Sequence, residues 1–292
     1  MLIVGFCLQA LLVIIRVAFY TLLERKVLGY IQTRKGPNKP SLSGLVTPFA
    51  DAVKLLTKGL NNPRQINKLF LWVPCLALFI PLFMWILYPS AYNFLSFKYS
   101  TLLFICISAI GVYAILGAGW RRNRKYSILG AVRAVAQTVS YEVSISIIIV
   151  HSLIFFLYVI HQDKISTLFT FMFSITAILL VSTMAETNRS PFDFSEGESE
   201  LVRGFNTEYR SAHFVIIFLA EYISIIFMST LVRLLFNIRC YLDLYLFIMR
   251  WALLFIWVRG SLPRFRYDQL MFLAWKCFLP VVLTSAALTL LV

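Results

Sequence analysis

Eight stretches of the chain are apolar almost throughout, and short charged stretches separate them. They cover about residues 2–23, 69–90, 99–119, 136–160, 165–185, 213–236, 242–258 and 270–292. An α-helix needs roughly 20 apolar residues to cross hydrocarbon, and each run approaches that length. The pattern predicts an all-α polytopic membrane protein: a single transmembrane domain over 1–292 with eight transmembrane helices. No internal repeat or low-complexity tract interrupts it. The first run begins at Met1 without a basic leader or a small-residue cleavage site, which predicts a retained span rather than a signal peptide. A different helical signal lies in the first connection. Leu45, Phe49, Val53 and Leu56 recur at helical spacing against Asp51, Lys54 and Lys58. That predicts an interfacial amphipathic helix over about 44–60, too short and polar to span. Turns at Gly36-Pro37-Asn38 and Pro40 precede it.

Composition sharpens the class. Hydrophobic residues make up 60% of the chain, charged residues 14%, and the mean hydropathy is +0.81. A soluble domain is nearer half apolar and a quarter charged. The net charge of +14 sits in loops between apolar runs. It points to topology and to anionic lipid such as cardiolipin, not to nucleic acid. The basic residues alternate. The first connection holds Arg25, Lys26, Arg34, Lys35, Lys39, Lys54, Lys58, Arg64 and Lys68, and the third, fifth and seventh are also basic. The even connections hold only Lys98, Lys164 and Arg239. The odd connections are therefore expected on the cytoplasmic or matrix side. Cys7, Cys75, Cys106, Cys240 and Cys277 are scattered without a CxxC, as are His151, His161 and His213. Neither a metal site, a disulfide nor a redox centre is expected.

Acidic residues are concentrated where the chain is otherwise basic. Glu186, Asp193, Glu196, Glu198, Glu200 and Glu208, six of the 13 acidic residues, fall in one loop, 186–212. Ser195 with Glu198 fits a capping box and predicts a short helix there. Glu196 and Glu200 then share a face at i,i+4, where like charges repel and raise each other's pKa. Such groups suit proton transfer near neutral pH. A solvated loop neutralised by arginines is the competing reading. Within or beside the apolar runs stand Glu24, Glu142 and Glu221. Carboxylates at that depth must be paired, hydrated or protonated, and usually line functional paths. Arg16, Arg233 and Arg250 are candidate partners for them, or snorkel to the interface. Arg25, Arg34, Lys54, Arg133, Arg189 and Arg266 are placed to hold carboxylates ionised, although as a group they also serve as topology markers.

Several of these stretches together resemble membrane subunit 1 of respiratory complex I, the proton-pumping NADH:ubiquinone oxidoreductase. They are Glu24-Arg25-Lys26, Arg34-Lys35-Gly36-Pro37-Asn38, Pro48-Phe49-Ala50-Asp51-Ala52-Val53-Lys54-Leu55, and Arg133-Ala134-Val135-Ala136-Gln137-Thr138-Val139-Ser140-Tyr141-Glu142. The loop Ala185–Tyr209 and Pro263-Arg264-Phe265-Arg266-Tyr267-Asp268-Gln269-Leu270 complete the set, in order along nearly the whole chain. The resemblance implies an eight-span bundle that forms the ubiquinone entrance and lower chamber. It implies a quinone wall of Glu24, Arg25, Arg34, Phe49, Asp51 and Lys54. A proton relay of Glu142, Glu186, Asp193, Glu196, Glu198, Glu200 and Glu221 is implied, with Arg133, Arg189, Arg264, Arg266 and Asp268 as positioning partners. Ubiquinone would be the substrate. NADH, FMN and the iron–sulfur clusters would belong to partner subunits, which include peripheral quinone-site subunits and antiporter-like membrane subunits. The compact length and loop variants look like the organelle-encoded form in the mitochondrial inner membrane, with a bacterial plasma membrane as the alternative.

The chain departs from the family pattern at Gly59-Leu60, where Glu-Pro is usual, and at Arg203, where a small residue is usual. The first removes a carboxylate at the chamber rim, and the second damps the loop's negative field. Three other readings stay open on the residues alone: a related subunit of a membrane-bound hydrogenase, a stand-alone transporter, and a scaffold subunit without a proton role.

Overall fold

A computed structural model describes residues 2–59, 69–88, 98–120, 125–162, 168–193, 209, 211–235 and 241–291. These form α1 (Leu2–Ile31), α2 (Thr47–Thr57), α3 (Leu69–Met84), α4 (Ser100–Trp120), α5 (Lys125–Gln162) and α6 (Leu168–Glu186). Then come α7 (Ala212–Leu235), α8 (Tyr241–Ser261) and α9 (Tyr267–Phe272), which passes through a π-helical turn at Leu273–Phe278 into α10 (Leu279–Leu291). No strand occurs among the described residues.

Five of the described helical segments are long and apolar enough to cross a membrane: Val4–Ile31, Ser100–Trp120, Lys125–Ile154, Ala212–Val232 and Tyr267–Leu288. Trp72–Leu87 and Ile175–Glu186 are shorter apolar helices. The bundle is arranged around α7, which packs against α3, α8 and α1. Of its apolar window 67% is buried, against 17% for α1. Ile223, Ile225, Phe227, Met228 and Leu231 of α7 join Val13 and Val17 of α1, Trp85, Phe104 of α4 and Tyr141 of α5 in one core.

Two helices extend beyond the apolar runs that announce them. α1 continues through Glu24-Arg25-Lys26 to Ile31, and α5 begins at Lys125 rather than near 136. The early part of α5 is polar in sequence yet faces inward: Ser127, Gln137 and Thr138 are buried. Its approach to α4 is close. A Cβ on Gly119 would overlap the Ala131 methyl, so the crossing needs a residue without a side chain.

The amphipathic helix α2, Thr47–Thr57, is shorter than its predicted limits. Pro48 stands in its first turn, where a missing N–H costs nothing, and Thr47 Oγ1 donates to Gly44 O at 2.7 Å. Gly44 has φ +74°, a left-handed conformation that glycine adopts freely, and it abuts Pro37. Phe49, Val53 and Leu56 of α2 remain exposed.

Candidate functional site

Carboxylates from three helices meet in one cavity. It has a volume of about 160 Å³ and lies among α3, α4, α5, α7 and the end of α6. Glu142, Glu186 and Glu221 all line it, with Ser108, Thr138, Thr187, Asn188 and Ser224 as the polar company and Val73, Ile80, Met84 and Met228 among the apolar wall. Glu142 Oε1 accepts a hydrogen bond from Ser108 Oγ at 3.0 Å. Glu221 Oε2 lies 3.4 Å from Arg189 Nη2. Buried Oε2 of Glu186 and Oδ1 of Asn188 have no hydrogen-bond partner among the described residues. Buried acceptors without donors in a polar cavity are the usual seats of water.

A second cluster stands beside the first. Glu24 is buried, and its carboxylate accepts from Tyr222 Oη and from Arg259 Nη1. The three residues come from α1, α7 and α8. Tyr20 packs edge-on against Tyr222 at 5.9 Å and donates its hydroxyl to Ala252 O at 3.2 Å. A crevice of about 20 Å³ is lined by Tyr20, Glu24, Thr187, Arg189 and Arg259. The two clusters adjoin. Thr187 lines both cavities, and Glu221 and Tyr222 are successive on α7, one turned to each. Arg189 bridges them: besides its Glu221 pair, its guanidinium carbon lies 4.3 Å from the Tyr222 ring centroid and 5.2 Å from that of Phe218. Cation–π contact of this kind holds a guanidinium over the ring face.

A third group joins α1 to α2 at the surface. Arg25 Nη1 meets Asp51 Oδ2 at 2.6 Å, and Phe19 packs edge-on against Phe49 at 6.2 Å. Both members of the ion pair are about half exposed, so solvent screens it and it contributes little stability. Arg34 and Lys54 are exposed nearby, with no ion pair among the described residues.

The base of the acidic loop is fastened from two sides. Gln137 is fully buried, and its Nε2 donates to Ala185 O and Phe192 O, both at 2.8 Å. Phe265 N donates to Pro191 O at 3.2 Å, and the Phe192 and Phe265 rings stack with centroids 5.5 Å apart. Arg264 Nη2 lies 3.6 Å from Asp193 Oδ2. Arg266 pairs with Asp268 at 3.0 Å on an exposed surface, away from the carboxylate cavity's lining. Arg133 is half-buried on α5. Glu196, Glu198, Glu200 and the capping box at Ser195 lie outside the described residues, as does Arg203.

The structure thus brings Glu142, Glu186, Glu221 and Arg189 together, with Glu24 adjacent. Sequence reasoning offered Arg16, Arg233 and Arg250 as partners of the buried acids, and Arg189 among the arginines placed to hold carboxylates ionised. Glu221 does meet Arg189, while Glu142 meets Ser108 and Glu24 meets Tyr222 and Arg259. Arg259, one of the basic residues of the seventh connection in the sequence pattern, lies in the last turn of α8. Nothing in the spacing marks Ser108 or Gln137. Among the described residues no group of three or more His, Cys, Asp or Glu side chains is placed to hold a metal.

Comparison with known proteins bears on this arrangement. A family model described as NADH dehydrogenase matches residues 4–290. A mosquito protein from Aedes aegypti, named NADH-ubiquinone oxidoreductase chain 1, is 49% identical over 96% of this chain and 92% of its own length. Proteins of the same name from the squid Heterololigo bleekeri and the lamprey Lampetra fluviatilis are 48% and 44% identical, covering 95% and 96% of this chain and 92% of each relative.

Proposed function

The chain belongs to the NADH dehydrogenase family, and from that membership we propose that it is the membrane subunit that admits ubiquinone to the respiratory oxidoreductase and passes the protonation change inward. The observation that carries this reading is the placement of Glu142, Glu186 and Glu221 on one cavity, beside the Glu24–Tyr222–Arg259 cluster. Several carboxylates on one cavity within an apolar bundle are costly unless they are paired, hydrated or share protons, and of the three only Glu221 has an ion pair among the described residues.

The chemistry follows from the substrate. Reducing the quinone takes two electrons from the peripheral partner subunits, where NADH, FMN and iron–sulfur clusters reside. It also takes two protons, leaving the site short of positive charge until they arrive. The quinone carbonyls accept hydrogen bonds, and Arg25, Arg34 and Lys54 on α1, the following loop and α2 are donors on the entrance wall, with Phe49 as its apolar surface. Asp51 orients Arg25 by their ion pair. Glu24 responds to charge at that wall. Its partner Tyr222 adjoins Glu221 on α7, and Arg189 touches both Tyr222 and Glu221, so a change in charge on one cluster is felt by the other. Glu196, Glu198 and Glu200 of the acidic loop supply further exchangeable protons, with Asp193 at the loop's base held by Arg264. Eight spans in the mitochondrial inner membrane, with odd-numbered loops on the matrix side and cardiolipin at the basic surface, complete the reading.

The test is Glu142→Gln and Glu221→Gln in the assembled complex, reconstituted in vesicles. Quinone reduction by NADH and the number of protons moved per electron are both measured. At least a tenfold fall in proton-coupled turnover is expected for each. Unchanged turnover with unchanged stoichiometry overturns the relay role.

A further inference from the structure

One charged side chain is left unused by the site. Arg16 lies on α1, is exposed, and sits within the Val4–Ile31 segment, which is apolar enough to cross a membrane. It makes no ion pair or side-chain hydrogen bond with the described residues. The adjoining flank of the helix is committed to this chain: Val13, Val17 and Glu24 are buried, and Gln9, two turns before Arg16, donates Nε2 to Trp85 O at 2.7 Å. Toward the N-terminus of Arg16 the surface is apolar and open, with Leu12 one turn before it 47% exposed and Leu8 61%; on the other side Phe19 packs against Phe49 of α2.

Depth decides what this arginine needs. At 1.5 Å rise per residue, Arg16 stands about 18 Å along the axis from Val4 and about 13 Å from Arg25, which begins the basic surface. Helical side chains lean toward the N-terminus. The stem of Arg16 therefore leans away from the nearer, basic interface and toward the farther one, so snorkelling leaves its guanidinium within the hydrocarbon.

We infer that the face of α1 formed by Leu8, Leu12 and Arg16, before the Phe19–Phe49 contact, is covered by a transmembrane helix of another subunit that carries an aspartate or glutamate at the depth of Arg16. The apolar flanks supply the packing surface, and the guanidinium sets the register of the partner by pairing with that carboxylate. This rests on the chain's membership of a multisubunit membrane complex and on no part of the proton relay.

The test uses the whole complex. Leu12→Cys, with Cys7→Ser to remove the other thiol on this stretch of α1, is labelled with a thiol-attached photo-crosslinker in the membrane and irradiated. An adduct with a second polypeptide is expected, mapping to an apolar helix with Asp or Glu within one turn of the attachment point. Adducts with lipid alone, or with a helix lacking any carboxylate, overturn the inference. In parallel, Arg16→Asp is expected to cut the yield of detergent-extracted complex containing that polypeptide at least tenfold. Exchanging the partner's carboxylate for arginine is expected to restore it. Full retention of that polypeptide in the Arg16→Asp complex overturns the pairing. NADH-driven quinone reduction by the unsubstituted complex reports separately on the functional assignment.

Discussion

Replacing Gln137 by leucine is expected to loosen the base of the acidic loop while leaving the bundle intact. The amide is fully buried and donates to two carbonyls at 2.8 Å, those of Ala185 and Phe192. Leucine keeps most of the volume and removes both donors. Ala185 O retains the backbone N–H of Asn188 at 3.3 Å, so the main loss falls on Phe192 O in a buried residue. A buried carbonyl left without its donor costs about 1–3 kcal/mol. Taking about 2 kcal/mol, the balance between docked and released loop base shifts roughly thirtyfold. The Phe192–Phe265 stack and the Asp193–Arg264 pair limit the change to loosening rather than release. Hydrogen exchange of the intact complex reads it directly. The Phe265 amide, which donates to Pro191 O, and the amides of 187–190, 192 and 193 are expected to exchange about thirtyfold faster. Those of the middle of α7 should not change. Because Thr187 and Arg189 lie in this segment and line the two cavities, proton-coupled turnover should fall with the same variant. Unaltered exchange across 187–193 would refute the claim that Gln137 fastens the loop.

Other expectations concern the same surfaces. Tyr222→Phe removes a donor to Glu24 while Arg259 remains, and is expected to slow quinone reduction several-fold without loss of assembly; an unchanged rate in the purified complex counts against coupling through Tyr222. Glu196→Gln or Glu200→Gln is expected to lower quinone reductase turnover, and normal turnover with normal proton stoichiometry rejects a relay role for the loop. Gly119→Ala forces α4 away from α5 at Ala131 and is expected to destabilise the chain by about 1–3 kcal/mol, as overpacking does, seen as a lower midpoint in thermal unfolding of the complex. Equal midpoints would show that the helices separate at no cost.

Hydrophobic patterning alone settled that the chain is helical and lies in a membrane, because long apolar runs leave the backbone no other way to satisfy its hydrogen bonds. It also located the surface helix, since Phe49, Val53 and Leu56 keep a helical period against charged neighbours. The same signal cut α5 short at about 136. Lys125, Ser127 and Arg133 interrupt the apolar pattern, and hydropathy leaves 125–135 to a loop, although Ser127, Ala131 and Ala134 are buried between helices. The acids were conspicuous as residue types out of place, but their partners were not. Glu24 meets Arg259 across 235 positions and Tyr222 across 198, and no spacing rule reaches that far. Composition identifies a carboxylate that must be paired or hydrated. Which helices cross beside it, and therefore whether a hydroxyl, a guanidinium or a water-sized cavity meets it, is decided only when the bundle packs around α7.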